Sequence, residues 1–137
     1  MTQKIKVSVF VKVPKEAAWD YFNLPEHITG WNFALPDWHC PRAESDFREG
    51  GKFTLRMETK DGGVGFDFSG VFTEIEQLKG FNYTLDDGRK VSATFEEDSE
   101  GTLVTEIFEA DAETPPEIQQ QGWQNILNNF KKYAESR

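Results

Sequence analysis

Ile5, Val7, Val9, Val11 and Val13 share one phase, with Lys and Ser among the residues between them. Alternation with a period of two predicts a half-buried strand. Pro14 follows where a helix can begin, because a missing N–H costs nothing in the first turn. Ala18, Tyr21 and Phe22 give that short helix an apolar face. Pro25 restarts the chain into a second short helix through His27 and Ile28 to Trp31. Residues 32–40, NFALPDWHC, show no period and read as an irregular, aromatic-rich loop.

Beyond this loop, strands are predicted near 42–48, 52–60, 65–77, 80–86, 89–97 and 102–110. Gly50-Gly51, Asp61-Gly62-Gly63, Asp87-Gly88 and Glu100-Gly101 supply turns between them. The clearest hairpin runs from Tyr83 to Val91, with Asp87-Gly88 at its tip. Short turns between consecutive strands predict an antiparallel meander. Gly65 and Gly70 in the long strand predict a bend or bulge.

The last element is a helix. Thr114 is the expected N-cap, Pro115 lies in the first turn, and Glu117 completes a Thr-x-x-Glu capping box. Trp123, Ile126, Leu127 and Phe130 form an apolar stripe that Ile118 and Tyr133 extend. At about 1.5 Å per residue the helix is about 30 Å long. Only a large twisted sheet can cover such a face. The predicted class is α+β: a curved seven-stranded antiparallel sheet around a long C-terminal helix, with two short helices after the first strand. One domain is expected over residues 1–137.

A curled sheet of this size has more interior than one helix fills, and barrel-like sheets of about eight strands can hold a small ligand. The inward candidates are Phe53, Leu55 and Met57, then Phe66, Phe68 and Phe72, then Phe95 and Phe108. Each taken singly reads as core. Together they read as the concave aromatic wall of a ligand site. The helix residues Trp123, Ile126, Leu127 and Phe130 would face them, with Trp31, Phe33 and Trp38 at the mouth.

Polar candidates are few. Arg56 and Glu58 are out of phase with Leu55 and Met57, and Asp67 is out of phase with Phe66 and Phe68, so all three are expected outside. Glu106 differs: it shares a phase with Val104 and Phe108 and is the expected inward carboxylate. A buried carboxylate with a shifted pKa can serve as a general base, which leaves a cyclase-like or hydrolase-like enzyme as the alternative to a binding protein. His39 and Cys40 are adjacent, so in an extended chain they point apart. Further metal ligands are lacking, because His27 is the only other His. No catalytic residue, metal or cofactor is assigned, and no Gly-rich phosphate loop or Ser nucleophile motif occurs.

Composition narrows the class. Twelve Phe and four Trp in 137 residues give ample bulk for a core. The net charge is −9, and eight acids but no Lys or Arg lie between Val91 and Thr114. Such a surface repels nucleic-acid backbones and anionic membranes. It reads as solubilising, with a basic partner as the sharper alternative. No apolar run approaches the roughly 20 residues of a membrane span. The N-terminus alternates as a strand does and lacks the apolar block of a signal peptide. A single Cys excludes an internal disulfide, so the cytoplasm is the expected compartment.

Several segments carry a family resemblance: AAWDYFNLPEHITGW, DWHCP, REGGKFTLRME, GFDFSGVFTEIE, NYTLDDGRKVSATFE, GTLVTEIFEAD and GWQNILNNFKKY. In this order they resemble the SRPBCC superfamily, which includes START and birch-pollen-allergen-like proteins. Within it they are most similar to the branch named for the activator of the heat-shock-protein-90 ATPase. The resemblance implies a helix-grip fold and a cavity for a small hydrophobic, lipid-like or polyketide-like molecule. Co-chaperone domains of this branch also make a chaperone partner an expectation. The eukaryotic co-chaperone has a separate N-terminal domain, whereas this sequence opens on the helix-grip strand. A homodimer through a sheet edge or the aromatic loop is a further expectation.

Overall fold

The computed structural model of the protein describes residues 3–137. The alternation near the N-terminus forms strand β1 (Lys4–Val11), which buries Ile5, Val7, Val9 and Val11. Two helices follow, α1 (Lys15–Asn23) and α2 (Pro25–Ile28), each introduced by a proline as its start requires. The meander comprises β2 (Trp38–Ser45), β3 (Lys52–Thr59), β4 (Gly65–Glu76), β5 (Gly80–Leu85), β6 (Lys90–Glu97) and β7 (Thr102–Glu109). The chain ends on α3 (Pro116–Glu135). The sheet order is β1-β7-β6-β5-β4-β3-β2, antiparallel throughout, so β1 closes onto the last strand. Gly50, Gly62 and Gly88 take positive φ at the turns, as their freedom from a Cβ permits.

The sheet curls about α3, whose Leu127, Phe130 and Ala134 are wholly buried. The short helices plug one end of the interior. The Trp19 ring meets those of Phe81 and Phe95 at 5.8 and 5.0 Å, and Phe22 meets Phe130 at 5.1 Å. Edge-to-face pairs of this kind add to the stabilisation from burial alone.

Three local expectations are corrected. Strand β2 starts at Trp38, inside the segment read as a loop, and ends at Ser45. A register shift between His39 and Arg42, with Pro41 inside it, breaks the alternation that would have revealed the strand. In β4 the irregularity lies between Phe72 and Glu74 rather than at the glycines. Gly70 is instead a place of close approach, because a Cβ there would overlap the Thr84 carbonyl oxygen.

The third correction concerns the start of α3. Pro115 holds the N-cap position without a side-chain bond, so the Thr114–Glu117 box does not form. Gln119 does the fastening. Its Oε1 accepts from the Asp111 N–H at 2.8 Å, and its Nε2 donates to the Asp111 and Thr114 carbonyls at 3.1 and 2.6 Å. Ile118, expected in the buried stripe, is 62% exposed because the helix turns Gln119 inward there. Gln119→Ala is expected to cost about 1–3 kcal/mol, read as a lower urea midpoint, since three bonds of a buried amide are lost together.

Both sheet edges are blunted. On β1, alternate carbonyls that would otherwise be free accept from α3. Gln120 Nε2 donates to Lys6 O at 3.5 Å, Gln124 Nε2 to Ser8 O at 2.9 Å, and Lys131 Nζ to Phe10 O at 2.6 Å. On β2, Pro41 and the register shift interrupt the ladder. Among the described residues no helix is long and apolar enough to cross a membrane.

Candidate functional site

Between the concave face of the sheet and α3 lies a cavity of about 290 Å³. Its sheet wall carries Phe53, Leu55 and Met57 of β3, Phe66, Phe68 and Phe72 of β4, and Phe81 and Tyr83 of β5. Strand alternation explains the set, because every second residue faces inward. Trp123 and Ile126 of α3 form the opposite wall, and Phe22, Ile28 and Trp31 close one end. Phe66 lines the cavity yet is 46% exposed, which puts it at the mouth.

Glu106 is the unusual member. It pairs across the sheet with Val7 on β1 and Ala93 on β6, so its neighbours on that face are small and apolar. It is 6% exposed, its carboxyl forms no hydrogen bond or ion pair among the described residues, and its oxygens open onto the cavity rather than being sealed in packing. Loss of hydration, with nothing to offset it, pushes its pKa up to about 8. At neutral pH the carboxyl is mostly protonated. The Tyr83 phenol lies close enough for the Glu106 charge to act on it, and burial together with that charge pushes it well above its usual value. A polar rim stands beyond these two groups. Arg89 Nε binds Asp87 Oδ2 at 2.8 Å, and Arg89, Asp111 and Gln119 all reach the cavity. Backbone N–H groups of Glu113 and Thr114 hold Asp111 below the usual carboxylate range.

The chain matches the family described as "Activator of Hsp90 ATPase homolog 1-like protein" over residues 12–135. It belongs to that family. The solution structure of an AHSA1-like protein from Aeromonas hydrophila is 41% identical, with a TM-score of 0.93 over 98% of this chain and 93% of that one. A protein from Cytophaga hutchinsonii is 44% identical, with a TM-score of 0.83 over 97% and 92% of the two chains. One from Chromobacterium violaceum is 20% identical, with a TM-score of 0.84 over 97% and 98%, and shows the shared fold alone. No curated protein matches the chain. Family membership and the sheet curled about α3 establish the helix-grip architecture expected from the sequence.

Within this family member, the expected ligand residues divide into two groups. Trp31, Phe53, Leu55, Met57, Phe66, Phe68, Phe72, Glu106, Trp123 and Ile126 line the cavity. Phe33, Trp38, Phe95, Phe108, Leu127 and Phe130 do not. Phe95, Leu127 and Phe130 face inward but are consumed by packing around α1 and α3. Phe108 lies behind Trp123, stacked at 3.9 Å and 10°. Trp38 sits outside the wall, its ring 6.0 Å from Phe66. Phe33 lies away from the wall, and its carbonyl accepts from Asn129 Nδ2 at 2.6 Å.

Phe81 and Tyr83 were overlooked although their alternation along 80–85 was available as a signal. Ser45 reaches the cavity from the end of β2, and Phe22, Asn23, Ile28, Asn32, Arg89, Asp111 and Gln119 reach it through tertiary docking of helices and turns.

The outward charges behave as alternation requires. Arg56 bridges Glu58 at 3.1 Å and Asp67 at 3.4 Å on the convex face, and His39 Nε2 lies 3.4 Å from Glu58. Cys40 points the other way and is buried, and burial pushes its thiol up. A thiol held protonated is a poor nucleophile. Among the described residues no three His, Cys, Asp or Glu side chains cluster as metal ligands do.

Proposed function

We propose that the protein binds a compact, mainly apolar small molecule between the sheet and α3. The observation that carries this reading is a buried carboxyl, unpaired among the described residues, in a mainly aromatic cavity. A carboxyl that opens onto a mainly apolar cavity without a protein partner is free to take one that a bound molecule supplies. The volume of about 290 Å³ lies at the small end of the roughly 300–1,000 Å³ of ligand pockets. It suits one or two rings better than a long acyl chain. The buried, protonated Cys40 fits a reducing cytoplasm.

The test is binding of an environment-sensitive hydrophobic dye, together with native mass spectrometry of protein purified from its own host. Saturable dye binding, weakened at least tenfold by Leu55→Trp with the fold retained, is the expected result. Absence of both dye binding and any co-purified molecule would remove the reading.

Glu106 supports a second reading, an enzyme of the cyclase or hydrolase type. A carboxyl with a pKa of about 8 can exchange a proton near neutral pH. Turnover of the co-purified molecule, abolished by Glu106→Gln, would establish it. Family membership supports a third, a co-chaperone-like contact. Stimulation of a purified chaperone ATPase by this chain would favour that reading over the cavity.

A further inference from the structure

Taking the cavity to be a small-molecule site, its charges restrict what the molecule can be. Arg89 is the only cationic side chain on the wall among the described residues, and Asp87 already holds it at 2.8 Å. Asp111 stands on the same rim, and its acidity is further favoured by Arg89. Facing them inside is Glu106, with no cation in reach among the described residues. Once Glu106 ionises, carboxylates outnumber cations on this wall, in a chain whose net charge is −9. An anionic ligand would meet the Asp111 carboxylate at the rim and no cation beside Glu106. A cation would meet a carboxylate and the π faces of Phe53, Phe68, Tyr83 and Trp123, which attract positive charge. The overall field also draws cations toward the protein.

We infer that the ligand is a compact hydrophobic amine, its protonated nitrogen paired with the Glu106 carboxylate and its apolar part held by the aromatic wall. The pairing has a balanced proton inventory. In the empty site Glu106 is a neutral acid, because burial raises its pKa to about 8. Binding of R–NH3+ converts Glu106–COOH into the carboxylate of an ion pair, and one proton passes to solvent. The side chains that surround it do not compete for this proton. Val7 of β1, Ala93 of β6 and Gln119 and Trp123 of α3 carry no ionisable group. Tyr83 is shifted well upward and Asp111 downward.

Three probes of one size decide the matter: phenethylamine, phenethyl alcohol and phenylacetate. Titration calorimetry at pH 6.5, in buffers of different ionisation enthalpy, is expected to show phenethylamine binding at least tenfold tighter than the other two. Close to one proton is released per molecule bound. Its affinity should rise about tenfold per pH unit from pH 6 and level off near pH 8. Glu106→Gln, which keeps the shape, should remove both the preference and the proton release while leaving the alcohol unchanged.

Equal affinity for the three probes, tightest binding of phenylacetate, or an amine affinity untouched by Glu106→Gln would overturn the inference. If the hydrophobic dye binds but phenethylamine does not, the amine assignment falls and the cavity reading stands. If neither binds, both fall.

Discussion

Glu106→Gln is expected to make the protein more stable than its parent at pH 9, and the gain over pH 5 should reach about 3–5 kcal/mol. In the unfolded chain Glu106 titrates near the ordinary glutamate value of 4.5, and in the folded protein near 8. Between those values the folded state binds the extra proton. Its contribution is therefore complete below about pH 4.5 and is lost as pH rises through 8. Above that, the parent must either bury a carboxylate or unfold it into water. The glutamine variant has no such group, so its stability lacks this loss. Glu58, Asp61, Asp111 and Glu135 have lowered pKa values, and they strengthen the fold as pH rises out of the acid range. They are common to both proteins and cancel in the difference. Urea unfolding of the two proteins at pH 5, 7 and 9 measures it. A difference that stays constant across these values would mean that Glu106 is hydrated or paired in the folded state.

Phe130→Ala should cost about 3–5 kcal/mol, while Phe68→Ala should cost appreciably less. The chemistry removed is the same at both positions, so the contrast reads the surroundings. Phe130 is fully buried, with its ring 5.1 Å from Phe22 and 5.0 Å from Trp31. Truncation there opens a new void where α3 meets the short helices. Phe68 already borders the cavity and is only partly buried, so its removal enlarges an existing space and forfeits fewer contacts. Denaturant midpoints give both values. Equal losses would show that the cavity closes around Phe68 in solution.

The sequence was most informative where one physical rule acted alone. Period-two alternation located β1, and the Asp87-Gly88 turn located the β5–β6 hairpin, because strand phase and turn chemistry are local properties. The inward turn of Glu106 was legible for the same reason. Rules that compete in a short stretch were harder to read. Two consecutive prolines displaced the start of α3, leaving Thr114 too early to cap it, and Gln119 took over through contacts with the preceding loop. Pro41 and the register shift hid the beginning of β2. At the site, phase separates inward from outward residues but does not tell a cavity wall from packed interior. Phe108 and Phe68 both face inward, yet Phe108 is covered by Trp123 while Phe68 remains in contact with open space. That distinction depends on where α3 and the short helices come to rest.

The seal along β1 has a consequence for the order of events during synthesis. Strand β1 pairs with β7, and its outward carbonyls at Ser8 and Phe10 accept from α3, a segment synthesised after the whole sheet. Until translation reaches residues 116–135, a nascent chain can extend its meander but must hold an open ribbon edge and bare concave rings. A transcript truncated before α3 should therefore yield chains that join edge to edge and collect in inclusion bodies.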